Sequence, residues 1–378
     1  MRFSSTSSRF SASVGSISQH FSRWFPTPRL LVPLSAGIDI SDASIKWVVL
    51  DRLGGNLRVI NYGFERLAVG IVADGIIHEE EALVLALARV RSRLGGINHV
   101  HAALPEEAAY VFSMHVPEES DRGQIISMIE FESEDRVPVP VNASVYDYDI
   151  ITKHDGDIGE EVGVSVFPRE LAEAYTSVFD AAGFELQSLE IEAQSIARAI
   201  SNRNSEEPIT LSVDFGRDRT GFAVIKKGIP IFTSTIKVGA EEMTRKLIEK
   251  LSLSSREAEV FKNEEGLLAE GGIKNPGVEA LIGTASALAD EVAKLYHYWD
   301  TRRNDKGVRM TPLGRVFIMG GGANLKGLAD YISERVQAPA MRPNVWHNVC
   351  TFNDYIPPID RRASLQYAAA IGLALRSF

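Results

Sequence analysis

The sequence predicts an α/β protein built of two related halves. Three observations predict it. Apolar runs of strand length alternate with segments of helical periodicity along the chain. A strand, glycine turn, strand opening occurs twice, once from Gly37 and once from Ile209. Each opening strand ends in an aspartate followed by a turn, Asp39 in the first and Asp214 in the second. Strand ends of two such halves face each other across a cleft, a frequent place for a ligand.

Residues 1–33 stand apart. They are rich in Ser and Arg, carry Phe3, Phe10, Phe21, Trp24 and Phe25, and hold no acid. They read as a basic arm, either disordered or lying at a membrane interface, without the continuous apolar core of a secretory signal. Residues 34–104 form the first part of the first-half core. Gly37-Ile38-Asp39-Ile40-Ser41 leads into a strand over Ile45–Leu50. Gly54-Gly55-Asn56 is a hairpin turn before a second strand over Leu57–Phe64. A helix follows over Glu79–Leu94, with Leu83, Leu87, Val90 and Leu94 on one face, and then a strand over Val100–Leu104.

Residues 105–159 read as an inserted module. It has a strand over Ala109–His115, a helix over Asp121–Asp135 stopped by Pro138 and Pro140, and a strand over Val145–Thr152. Residues 160–207 return to the first-half core with a strand over Val162–Phe167 and a helix over Arg169–Ala182, ended by Gly183. The second-half core opens over residues 208–239 with strands at Ile209–Asp214, Thr220–Ile225 and Ile231–Ile236. Residues 240–310 are helical, over Ala240–Leu251, Ser254–Lys262 and Pro276–Thr301. Residues 311–345 carry a strand over Val316–Met319, the run Gly320-Gly321-Gly322 and a helix over Leu325–Val336. Residues 346–378 close the chain with a helix over Ser364–Leu375, returning to the first-half core.

Composition narrows the function. The net charge of −10 argues against a dedicated nucleic-acid binder. The one cysteine, Cys350, forms no internal disulfide and has no motif-supplied base, which fits a reducing cytoplasm. No stretch approaches the roughly 18 uninterrupted apolar residues of a bilayer span.

Four segments carry candidate chemistry. The first is Asp39 with Gly37, Ser41 and Lys46: a strand-end carboxylate can reach a hydrated Mg²⁺ while the turn's N–H groups can face a phosphate, or Asp-Ile-Ser is equally a plain turn signal. The second is Asp214, Gly216 and Thr220, where glycine permits close backbone approach and Thr220 offers a hydroxyl. The third is Gly320-Gly321-Gly322, flat against a base or ribose or else a tight turn, with a helix N-terminus beyond. The fourth is Glu259 with Lys262, on one helix face at i, i+3, either gripping ribose hydroxyls or forming a solvated ion pair.

The order of these four segments resembles the actin, DnaK and sugar-kinase superfamily, and the chain as a whole resembles its PilM branch from about Leu31 to Leu375. The resemblance rests on Gly37-Ile38-Asp39-Ile40 with Lys46, on the acidic helix and Pro-x-Pro stop of Glu130–Pro140, and on Tyr146-Asp147-Tyr148. It rests further on Ala258-Glu259-Val260-Phe261-Lys262 and on the closing Ala370–Arg376. It implies an actin-like ATPase fold, each half split into two subdomains, with residues 105–159 as an inserted subdomain shared with FtsA. It implies ATP and Mg²⁺ in the central cleft, the metal between Asp39 and Asp214, with hydrolysis weak or absent. Glu192 and Gln194, between the phosphate loops, are the candidates for orienting an attacking water; Glu192 also reads as a structural carboxylate at a helix start.

The function so implied is an ATP-binding scaffold of a type IV pilus inner-membrane platform, at the cytoplasmic face of the cell membrane. Its partner is the short N-terminal cytoplasmic tail of a PilN-like bitopic membrane protein, docked between the inserted subdomain and the first-half core. Membrane contact is then indirect or through the N-terminal arm, and self-association is left open. The alternatives are a cytoskeletal filament protein of the FtsA or MreB kind and a sugar kinase of the same superfamily. Two departures stand out. Ser41 occupies a position where the family commonly has Gly, which predicts strain if φ is positive there. Arg217 and Arg219 stand where small residues are usual, either to contact phosphate or to crowd it.

Overall fold

The computed structural model describes residues 33–54, 56–152, 159–202, 207–303 and 311–378; the predicted arm lies outside them apart from Pro33. In the first half, β1 (Ser35–Ser41), β2 (Ser44–Leu53) and β3 (Asn56–Arg66) form an antiparallel meander. β1 is buried along nearly its whole length, as suits a central strand covered on both faces. β3 lies at the sheet edge and alternates exposed and half-buried positions, the signature of a strand covered on one face. A two-strand hairpin, β4 (Val72–Ala73) and β5 (Ile76–Ile77), precedes α1 (Glu80–Arg93). Glu80 and Glu81 in the first turn of α1 and Arg91 and Arg93 in the last match its dipole. β6 (His99–Leu104) then pairs parallel with β1.

The inserted module follows as β7 (Tyr110–Val116), α2 (Arg122–Arg136), β8 (Ser144–Thr152) and β9 (Glu160–Pro168). Asp121 and Gln124 form a reciprocal capping box that starts α2. The module's sheet has the order β7-β9-β8. The predicted boundary at residue 159 therefore cuts off the module's own central strand; the sheet runs on to Pro168. Sequence order concealed this, because β9 pairs with both its neighbours across intervening chain.

The chain returns through α3 (Arg169–Ala181) to β10 (Glu185–Ile191) and α4 (Glu192–Ile200). The sequence reading gave neither of the last two a range, though it offered a helix start at Glu192. β10 alternates polar and apolar residues at the sheet edge beside β6, so no apolar run marks it. The first-half sheet has the order β10-β6-β1-β2-β3.

The second half repeats this plan. β11 (Ile209–Phe215), β12 (Thr220–Lys226) and β13 (Ile229–Ile236) form the meander, and β14 (Leu313–Met319) and β15 (Ala340–Met341) add in parallel, giving the order β13-β12-β11-β14-β15. Between meander and parallel strands lie α5 (Ala240–Leu251), α6 (Ser255–Glu264) and α7 (Pro276–Thr301). Ser254 with Glu257 caps α6, and Asn275 with Pro276 at the first helical position caps α7.

The predicted helix over Leu325–Val336 is shorter. A 3-10 turn takes Gly321–Asn324, and Gly327, at φ +85°, separates it from α8 (Leu328–Val336). The predicted closing helix likewise divides into a 3-10 segment, Ala363–Tyr367, and α9 (Ala368–Ala374). α9 packs on β1, β2 and β6 and against α4, tying the chain end into the first half.

Candidate functional site

The two meanders place Asp39 and Asp214 at equivalent strand ends. Asp39 is buried, opposite Lys46 in the β1–β2 register, and Lys46 Nζ donates to Asp39 Oδ2 at 3.4 Å. Asp214 lies beside Met319 of β14, directly before the glycine run. The two carboxylates share one field. Burial pushes the Asp214 pKa up to about 6, the charge of Asp39 adds to the rise, and Lys46 opposes it.

Three further acids join them. Glu192, at the start of α4, is held well above the usual carboxylate range, first by burial and then by Asp39, Glu107, Asp214 and Glu106. Glu106 is pushed up to about 7 by burial, opposed by the Ala193 N–H and by Thr233. Its Oε2 accepts from Ala193 N at 2.9 Å. Glu107 is raised mainly by burial. Sequence reasoning missed Glu106 and Glu107. Their signal was the one that found Asp39: a polar pair immediately after a buried parallel strand, where ligands of open α/β sheets bind.

The glycines have separate reasons. A Cβ on Gly320, at φ +83°, would lie 2.3 Å from Asp214 Oδ1, so only glycine lets the loop pass that carboxylate. A Cβ on Gly322 would meet the Phe215 ring at 2.4 Å, whereas one on Gly321 would meet nothing within 4 Å. Gly216 turns tightly, its N–H donating to Asp214 O and Arg219 O at 3.1 and 3.0 Å. Gly37 faces away from the acids: a Cβ there would lie 2.3 Å from Ala370 O of α9, which makes it a packing glycine.

Other expected contacts are already taken. Ser41 is not among the described non-glycine residues with positive φ, so the expected strain is absent, and its hydroxyl donates to Ser44 O at 3.1 Å. Thr220 is buried and donates to Val238 O at 2.6 Å. Lys262 is buried rather than solvated; its Nζ lies 2.6 Å from Glu259 Oε1 and donates to Thr244 Oγ1 at 2.6 Å. α6 flanks the glycine loop through Lys326 N donating to Lys262 O at 3.0 Å. Arg217 pairs with Glu241 at 3.2 Å. Arg219 pairs with Asp42 and Glu107 of the opposite half.

Gln194 is not with the acids. Its Nε2 donates to Asp149 Oδ2 of β8 at 2.9 Å, on the wall of a separate cavity of about 940 Å³. This groove lies between the inserted sheet, at Val145, Tyr148 and Ser165, and the first-half core, at Leu104, Ile191 and Leu375. At its edge Glu190, buried, receives Arg198 Nη2 at 2.8 Å and also pairs with Arg376.

Among the described residues, no group of three or more His, Cys, Asp or Glu is placed to hold a metal by itself. Mg²⁺ keeps several waters and takes one or two carboxylates beside phosphate oxygens. The donor set at the strand ends is likewise hard carboxylate oxygen. Among the described residues no helix is long and apolar enough to cross a membrane.

Residues 37–378 match the family model described as type IV pilus assembly protein PilM. Among solved structures, the chain is similar to one titled PilM-PilN type IV pilus biogenesis complex, at 19% identity and TM-score 0.74, covering 93% of this chain and 99% of the other. It is also similar to the ethanolamine utilization protein EutJ from Carboxydothermus hydrogenoformans, at 17% identity and TM-score 0.52, covering 93% and 91%. ADP-bound MreB5 of Spiroplasma citri matches at 14% identity and TM-score 0.51, covering 91% and 95%. These likenesses make the fold actin-like.

Proposed function

The chain belongs to the PilM family of type IV pilus assembly proteins, and from that premise we propose that it is a nucleotide-binding scaffold that docks the cytoplasmic tail of a PilN-like membrane protein. The observation that carries the nucleotide reading is the shared field of Asp39 and Asp214 at matching strand ends. Asp39 and Asp214 would hold Mg²⁺, Lys46 would sit beside the phosphates, and the Gly320–Gly322 loop would pass the nucleoside. The metal would supply charge neutralisation to the phosphates. Glu192 would orient a water. Burial and the neighbouring acids push its pKa up, and in this reading ATP turnover is slow or silent. Gln194 takes no part in that step in this reading; its amide helps shape the partner groove.

The groove between β8, β10 and α4 suits an extended tail. Among the described residues β8 pairs with β9 alone, at the edge of its sheet, and the groove sets apolar Leu104, Ile191 and Leu375 beside polar Tyr148, Ser165 and Gln194. In this reading the protein works at the cytoplasmic face of the membrane, held there by that tail. A fluorescent peptide copying the N-terminal tail of a PilN-like protein should bind the wild-type chain. Ser165→Trp, which fills the groove from β9, should weaken that binding at least about tenfold, or about 1.4 kcal/mol. Unchanged peptide binding by the folded variant would remove the groove from the proposal.

A further inference from the structure

We propose that Arg219 is a clasp that closes the nucleotide cleft before any nucleotide binds. This inference rests on the cleft reading above but names a control that the reading does not contain. Arg219 lies in the β11–β12 turn of the second half, and its guanidinium pairs with Asp42, at the tip of the β1–β2 turn, and with Glu107, after β6. Both acids belong to the first half. A third, Asp74 of the β4–β5 turn, lies 3.9 Å from the same guanidinium and pairs with Lys237 Nζ at 2.8 Å.

The clasp is anchored at both ends. On the second half, Ala240 N and Glu241 N donate to Gly216 O and Arg217 O at 3.1 and 2.9 Å, fixing the turn to the start of α5. Gly239 makes that approach possible, since a Cβ there would lie 2.1 Å from Arg217 O. On the first half, the Asp42 carboxylate also accepts from Asp74 N and Gly75 N at 3.2 and 3.4 Å. Arg219 is only 17% exposed, so water and salt screen it weakly. Lys237, 81% exposed, contributes little by comparison.

A guanidinium presents its donors in a rigid planar fork that meets two carboxylates at fixed directions, whereas a lysine offers one compact charge on a flexible stem. One side chain therefore neutralises acids of the opposite half at the rim of a cleft already rich in carboxylates. The consequence concerns regulation. A ligand shifts a two-state equilibrium only by its differential affinity for the two states. With the closed state held by Arg219, nucleotide has little left to shift, and the partner groove keeps one shape with or without it.

Spin labels report this without any ligand. Val69 and Ile273 are exposed at 96% and 78%, on the first half and on the second-half helical region. Each is replaced by Cys in a Cys350→Ser background, and the inter-label distance is measured by pulsed electron resonance. The nucleotide-free wild type should give one narrow distance. Arg219→Ala should add a longer population at least tenfold larger than any in the wild type, and Arg219→Lys should fall between. Circular dichroism confirms that each variant is folded, and the double variant Asp42→Asn, Glu107→Gln should open the cleft from the other side. Distances in Arg219→Ala and the double variant that match the wild type overturn the clasp. Opening on loss of Arg219 in a chain that binds no Mg²⁺-nucleotide overturns the nucleotide reading and leaves the clasp standing.

Discussion

Asp214→Asn should weaken Mg²⁺-nucleotide binding by roughly a hundredfold, about 2.7 kcal/mol, while making the folded chain more stable above pH 6. The two effects have one cause. Asp214 is a half-buried acid in the field of Asp39, and its pKa is pushed up from 3.8 to about 6, first by burial. Below pH 3.8 the carboxyl is protonated in both folded and unfolded chains, so its ionisation adds no cost. As pH rises from 3.8 to about 6 the unfolded chain releases the proton while the folded chain keeps it, and stability falls. Above about 6 the full cost stands, on the order of 3 kcal/mol at about 1.4 kcal/mol per pH unit. Asn carries no such cost. Urea unfolding should therefore find the variant more stable at pH 8 and near wild type at pH 3.5, while a fluorescent nucleotide titration finds binding weakened to that extent. A variant that is less stable at pH 8 would make Asp214 a structural hydrogen-bonding residue and remove the metal role. A carboxylate retained against the stability of its own fold is the expected mark of a binding site.

Much of this site was legible because its parts repeat. The meander with a strand-end aspartate occurs twice, and residues that terminate buried strands at a cleft announce themselves by chemistry and position together. Illegible parts failed for identifiable reasons. Glu192 and Gln194 stand two residues apart at the start of one helix. At about 100° per residue they point some 200° apart, so one enters the acid cluster and the other meets Asp149 across the groove. A helix start offered at Glu192 but given no range did not separate them. Arg219 carried no sequence sign of its partners, since Asp42 and Glu107 lie in the other half and meet it only in the folded chain. The module boundary failed because β9 belongs to a sheet whose other strands precede it. Gly37 was noticed as a phosphate-loop glycine, yet the side on which it lacks a Cβ faces α9.

That last contact leads to the largest expected loss of stability. Gly372 of α9 lies against α4 so closely that a Cβ would stand 1.7 Å from Ser195 O. The obstacle is backbone, so no rotamer change relieves it. Arg198 of α4 also donates to Gly372 O at 2.9 Å, and Gly37 of β1 presses on the same helix at Ala370. α9 is thus gripped between a strand and a helix by two glycines that leave no side chain in the contact. Gly372→Ala already forces the helices apart and should cost about 3 kcal/mol or more, the upper part of the overpacking range. Gly372→Val should exceed it. Gly321→Ala is the control: a Cβ there meets nothing within 4 Å, so its stability should stay within about 0.5 kcal/mol of wild type. Thermal melts of the three variants decide the matter. Equal melting temperatures for Gly372→Ala and Gly321→Ala would mean that α9 does not lie where the fold places it. α4 carries Glu192 on one side and the groove wall on the other, so loosening its grip on α9 should disturb nucleotide and tail binding together. Asp214→Asn and Ser165→Trp should each remove one of the two and spare the other.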